Sequence, residues 1–136
     1  MSNYKIIDVE GIGPVYGEKL QAAGINDTDA LLEKCAKPAG RKALEEETGI
    51  SGKLILTWTN HSDLMRINGV GPQFSELLEA AGVDTVKELK HRVPANLQAK
   101  LEEVNAEKNL VNRVPAVAEV EKMIAQAKEI PAVMEY

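Results

Sequence analysis

The chain repeats itself, and any fold it adopts must accommodate that repeat twice. Residues 4–25 match residues 62–83 at a constant offset of 58, most closely where VEGIGPVYGEKLQAAGI (9–25) meets INGVGPQFSELLEAAGV (67–83). Gly11, Gly13 and Pro14 face Gly69, Gly71 and Pro72, and Glu18, Leu20, Ala22, Ala23 and Gly24 face Glu76, Leu78, Ala80, Ala81 and Gly82. A one-residue slip then continues the match, pairing Thr28 with Thr85, Leu32 with Leu89, and Leu44-Glu45-Glu46 with Leu101-Glu102-Glu103. Self-similarity at a fixed period marks repeated structural units. We therefore divide the chain into a first copy, residues 1–60, and a second, residues 61–136, which carries a C-terminal tail.

Each copy reads as a series of short helices. The G-h-G triplet breaks the chain after an apolar turn, and Pro14 or Pro72 opens a new helix at a position where a missing N–H is tolerated. Gly24 and Gly82 suit the left-handed residue that ends a helix, and Thr28 and Thr85 are the expected N-caps of the next one. Helical spacing recurs at Ala30-Leu31-Cys35, Val86-Leu89, Ala43-Leu44-Glu47 and Leu97-Leu101-Val104. Residues 51–60, capped by Ser51, and residues 116–129, opened by Pro115, add one helix to each copy. Strand alternation appears nowhere. The expected fold is all-α, with about five short helices per copy packed as one compact domain.

The pattern h-x-G-h-G-x-x-x-(small)-x-x-L followed by A-G-[IV] resembles the helix-hairpin-helix motif, with Gly17 or Ser75 at the small position and Leu20 or Leu78 at the apolar one. The whole chain also resembles a small bacterial tandem helix-hairpin-helix family catalogued only as a domain of unknown function. Glycines let the backbone turn sharply and bring helix-start amides close to an oxyanion, and a phosphate suits such a place. The resemblance therefore implies sequence-independent contact with a nucleic-acid backbone such as DNA through residues 11–15 and 69–73. The residues expected at the contact are Gly11, Ile12, Gly13, Gly69, Val70, Gly71 and Gln73, with Lys19 and Arg66 as nearby cations. Where DNA-gripping members usually carry Lys, Arg, Ser or Thr after the second glycine, this chain has Pro14-Val15-Tyr16 and Pro72-Gln73-Phe74. A plainer reading stands beside it: G-h-G turns a corner of the fold, with Ile12 and Val70 buried.

Charge weighs on the choice. The 136 residues hold 16 Lys and Arg against 21 Asp and Glu, a net charge of −5, whereas Lys and Arg supply most non-specific affinity for nucleic acid. Both hairpin units, 5–24 and 63–82, are net negative. Arg41-Lys42 and the group Lys87, Lys90, His91 and Arg92 are the nearest approach to basic patches, and a solvated face is the plainer reading of each.

Composition narrows the rest. Disorder is excluded by 44% hydrophobic residues. No run is apolar enough for a leader or a bilayer span, so the expected setting is cytoplasmic, without a membrane partner. One cysteine, Cys35, and two histidines, His61 and His91, supply metal chemistry poorly. We expect no metal, cofactor or small-molecule substrate, and no enzyme. Asn60-His61-Ser62-Asp63 invites a catalytic reading, but Ser62 or Asp63 is better explained as the N-cap of a short helix entering the second hairpin. Trp58 and Cys35 read as core. The apolar end, Ile130-Pro131-Ala132-Val133-Met134-Glu135-Tyr136, is expected to dock near Tyr4 and Ile6 or on a second subunit, which makes a homodimer plausible. Two functions follow: a backbone-gripping nucleic-acid module, or a protein–protein adaptor or self-assembling scaffold whose hairpins are structural. An accessory domain to a nucleic-acid enzyme would combine the two.

Overall fold

A computed structural model describes residues 3–136. A 3-10 turn, Ile6–Asp8, precedes eight α-helices: α1 Gly13–Ala22, α2 Thr28–Cys35, α3 Pro38–Thr48, α4 Gly52–Leu64, α5 Pro72–Ala80, α6 Val86–Leu89, α7 Pro94–Lys108 and α8 Val117–Glu129. The fold is all-α. Extended pairing among the described residues is limited to a bridge between Lys5 and Asp27. No helix among them is long and apolar enough to cross a membrane.

Local chemistry sets the helix limits. The Ser51 side chain accepts from the Lys53 amide and starts α4, as its sequence position suggests. α3, α5 and α7 each begin with proline, where φ is already helical and the absent N–H had no partner to lose. Gly49 ends α3 at φ 73°, and Asn109 ends α7 at φ 50°. Asn105 secures that last turn, its Oδ1 accepting from the amides of Leu110 and Val111 at 2.8 and 3.0 Å.

The corner contacts recur 58 residues apart. Val9 N–H donates to Ile6 O and Ile12 N–H to Val9 O; Ile67 and Val70 repeat both bonds onto Leu64 and Ile67. At the other end of the next helix, Ile25 donates to Leu20 O and Val83 to Leu78 O. The spacing does not slip by one residue at the following cap. Asp27, rather than Thr28, is the N-cap of α2, accepting from the Ala30 amide at 2.7 Å, and Thr85 holds that place in α6. Thr28 lies one position inside, buried like Val86, because its hydroxyl accepts from the Tyr4 amide and donates to Asn3 Oδ1.

Among the described residues, eight α-helices and one 3-10 turn stand where about five helices per copy were expected, because no separate helix enters the second corner. α4 runs on through His61, Ser62 and Asp63 to Leu64. It packs against α2, α3 and α5, while α7 packs on α5 and α8. One core cluster draws on the whole chain, with Leu20, Leu31, Leu44, Ile55, Leu78, Leu101 and Ile124 all buried. Trp58 and Cys35 lie in it, and the Tyr16 ring braces the indole at a centroid distance of 5.1 Å.

The tail docks, but on the α2–α3 junction and α4 rather than near Tyr4 and Ile6. Glu135 N–H donates to Ala36 O at 2.8 Å, and Tyr136 OH donates to Asn60 Oδ1 at 2.9 Å. Arg41 fastens it. Its Nη1 donates to Cys35 O and Ala36 O, its Nη2 to Glu135 O, and the guanidinium stands 5.7 Å from the Tyr136 ring centroid. This buried arginine is a clasp within the fold, not part of a surface patch.

Candidate binding face at the glycine corners

Both corners need a backbone that only glycine adopts freely, at Gly11 (φ 88°) and Gly69 (φ 91°). Their second glycines differ. Gly13 takes φ 63° and opens α1, with nothing within 4 Å of where a Cβ would stand. Gly71 is extended and is the N-cap of α5. The first-turn amides of Gln73 and Phe74 precede that helix's own bonding ladder.

The surroundings of the corners differ more. A Cβ on Gly69 would stand 3.2 Å from Met123 Cε, and the Asn68 amide donates to Gln126 Oε1, so α8 lies over the second corner. Tyr4 OH donates to Val70 O at 3.4 Å from the other side. At the first corner a Cβ on Gly11 would meet Trp58 Nε1 at 3.5 Å. Ile12 and Val70 bury their side chains in the core.

Arg66 is not a free cation. It is 6% exposed, its Nη1 donates to Asp63 Oδ1 at 2.8 Å, and its Nη2 donates to Pro131 O at 2.9 Å. Asp63 in turn accepts the Val86 amide at 2.8 Å, so it caps α6 from α4 and neutralises the arginine. Asp63 and Ser62 are therefore interior residues of α4 and not N-caps of a new helix; the Ser62 hydroxyl donates to Trp58 O. His61, Ser62 and Asp63 each face a different partner, which separates the triad suggested by their order. Lys19 is exposed toward the C-terminal end of α1, beside a hollow lined by Ala22, Ala23 and Glu47, and does not join the first corner. Gly71 and Gln73 do come together, lining a cavity of about 400 Å³ with Phe74, Val111 and Asn112. Arg92, from the second basic group, donates to Gly82 O at 3.1 Å and serves the end of α5.

A different site stands out, one that the sequence did not suggest. A cleft of about 380 Å³ opens between the first corner, α4 and α5, with Glu10, Gly11, Trp58, His61, Glu76 and Glu79 on its walls. His61 Nε2 lies 3.1 Å from Glu79 Oε2, and the side chain is 4% exposed. Its Nδ1 is buried with no hydrogen-bond partner among the described residues. Burial, above all, and then the Glu10 carboxylate raise the Glu76 carboxyl above its ordinary value; His61 and Lys108 oppose this and Glu79 adds to it. Among the described residues, no group of three or more His, Cys, Asp or Glu is placed to hold a metal ion. The sequence signals were faint: Glu76 and Glu79 at i,i+3 share a face of α5, as Trp58 and His61 share one of α4.

Residues 10–130 match the family described as Domain of unknown function (DUF4332), and the chain belongs to that family. No curated protein and no solved structure matches it.

Proposed function

We propose that this member of the DUF4332 family is a non-enzymatic protein-binding module, an adaptor whose helix-hairpin-helix corners brace the fold and whose acidic cleft meets a basic segment of its partner. One observation carries the reading: three carboxylates and a buried imidazole gather beside the first corner, where a phosphate-gripping loop needs cations. The fate of Arg66 supports it, since the cation best placed in sequence to help a phosphate already neutralises Asp63.

A second reading rests on the start of α5. There Gly71, Gln73 and Asn112 line one cavity at the N-terminus of a nine-residue helix, which is chemistry suited to a backbone phosphate. In this reading the module makes weak, sequence-independent contact with nucleic acid through the second corner.

Fluorescence anisotropy separates the two. A labelled Arg-rich peptide, a labelled duplex and a labelled single strand are titrated at about 20 mM and about 150 mM salt, where the Debye length falls from roughly 20 Å to about 8 Å. The adaptor reading expects saturable binding of the peptide and none of either nucleic acid up to about 100 μM, the weak end of non-specific affinity. Duplex binding with a log–log salt slope of about −2 to −4, without peptide binding, overturns it in favour of the second corner.

A further inference from the structure

The tail, residues 131–136, lies on the body of the molecule as an extended ligand lies on a receptor. It forms neither helix nor strand, and none of its residues is fully buried. Polar contacts hold it. Arg66 donates to Pro131 O and Arg41 to Glu135 O at 2.9 Å each, the Glu135 amide donates to Ala36 O at 2.8 Å, and Tyr136 OH donates to Asn60 Oδ1. Arg41 has no carboxylate partner among the described residues; it is surrounded by the carbonyls of Cys35, Ala36 and Glu135 and by the Tyr136 ring. A buried guanidinium must keep its acceptors, so whatever displaces the tail has to bring a carbonyl to the same place.

The tail does not fill this seat. Asp29, Leu32, Glu33 and Ala36 share one face of α2 and its cap at i, i+3, i+4 and i+7, and between that face, Arg66 and Val133 lies a cavity of about 450 Å³. Leu32, Ala36 and Val133 give it apolar walls, and each of the three is only half-buried. Apolar surface still in contact with water contributes nothing to holding the tail down. Between the anchors at Pro131 and Glu135, no backbone hydrogen bond among the described residues fixes Ala132, Val133 or Met134. The middle of the seat therefore has room for a side chain larger than valine, and its two ends accept any extended backbone of the same length.

We infer that this seat receives an extended segment of a protein partner, and that the tail is its resident competitor. The segment has a bulky apolar side chain where the tail has Val133, then a glutamate and an aromatic residue at the places of Glu135 and Tyr136. Its backbone carbonyls take the bonds from Arg66 and Arg41. Its glutamate faces Lys37, as Glu135 does at 3.8 Å, and its ring meets the Arg41 guanidinium as Tyr136 does. A peptide fits better than a nucleic acid, because both arginines here meet carbonyls and the exposed carboxylates of Asp29 and Glu33 on the rim repel a polyanion. A competitor tethered to its own receptor acts at an effective concentration of about millimolar, so only a segment that fits better than the tail displaces it readily.

The inference rests on the adaptor reading in making the partner a protein, but the seat shares no residue with the acidic cleft, and the two are tested with different peptides. A fluorescein-labelled peptide of the tail's own sequence, Ile-Pro-Ala-Val-Met-Glu-Tyr (130–136), is titrated by anisotropy into the full wild-type chain and into the full-length variant Glu135→Pro with Tyr136→Ala. These substitutions remove contacts of the tail and leave the residues of the seat unchanged. Binding is expected to be about tenfold tighter or more in the variant, because the competitor is weakened. A peptide with phenylalanine in place of its valine is expected to bind about fivefold tighter again, and Val133→Phe in the chain to raise the thermal midpoint by about 3 °C or more. An amide spectrum unchanged away from the tail verifies that the opened variant folds. The midpoint of Val133→Phe is read without that variant, and a fall in it overturns the inference. Equal binding to wild type and variant also overturns it, as does equal binding of a scrambled peptide. Displacement of the peptide by a DNA duplex overturns it in favour of nucleic acid, and self-association of the wild-type chain that the peptide dissolves overturns it in favour of a second copy's tail. Failure of the Arg-rich peptide to bind removes the acidic cleft from the adaptor reading and leaves each of these outcomes as it stands.

Discussion

Asp63 is a buried junction between elements. Its two oxygens serve different elements, one neutralising Arg66 and the other taking the first amide of α6, and the pair is almost entirely buried. Removing one partner of such a pair strands the other, so Asp63→Ala is expected to lower stability by about 3–5 kcal/mol in chemical denaturation. The double replacement Asp63→Leu with Arg66→Met is expected to cost less than Asp63→Ala, because no charge is left behind. A larger loss in the double variant would show that packing, not charge, governs the site. Cys35 gives a pH-dependent counterpart. Burial pushes its thiol from an ordinary value of 9.0 up to about 11, with Thr59 and Arg41 acting against the rise. The folded chain therefore keeps a proton that the unfolded chain releases. Its contribution is level below pH 9 and declines as pH rises toward about 11, by about 2–3 kcal/mol in all. The difference in unfolding free energy between wild type and Cys35→Ala, followed from pH 8 to pH 11, measures that decline; a constant difference would refute it.

At the scale of elements, α2 and α3 approach closely at Gly40. A Cβ on Gly40 would fall 1.7 Å from the Lys34 carbonyl oxygen, so the two helices meet only because that residue has none. Gly40→Ala is expected to cost about 3 kcal/mol or more, whereas Gly49→Ala, with open space but φ 73°, costs about 1 kcal/mol. Thermal unfolding of the two variants side by side checks the ranking. The corners and the proline-led starts were readable in the sequence because positive φ and a missing N–H are requirements a residue meets by itself. The cap of α2 was not. Asp27 and Thr28 are both capping residues, and the choice between them lies with Asn3 and Tyr4, some 24 residues away in the chain. Arg66 was misplaced for a related reason: its partner three residues earlier is recognisable only once α4 is known to run through Asp63. The acidic cleft was beyond local pattern altogether, since Glu10, His61 and Glu76 meet only when the first corner folds against α4 and α5.

At the scale of the molecule, the tail ties the end of α8 to the α2–α3 junction. Deleting residues 131–136 leaves Arg41 and Arg66 each short of a carbonyl, and is expected to cost about 3–6 kcal/mol at roughly 1.5–3 kcal/mol per charged hydrogen bond lost. The sedimentation coefficient is expected to stay that of the same species; a drop in mass would mean that the tail bridges two copies instead. The clasp also fixes an order of events in time. Arg41 and Glu135 are 94 residues apart, and at about 5–20 residues per second a ribosome takes roughly 5–20 s to make that interval. Through that time the α2–α3 junction stands bare, with a charged side chain and open carbonyls awaiting a strand not yet synthesised, so the nascent chain and the finished one offer the cell different surfaces.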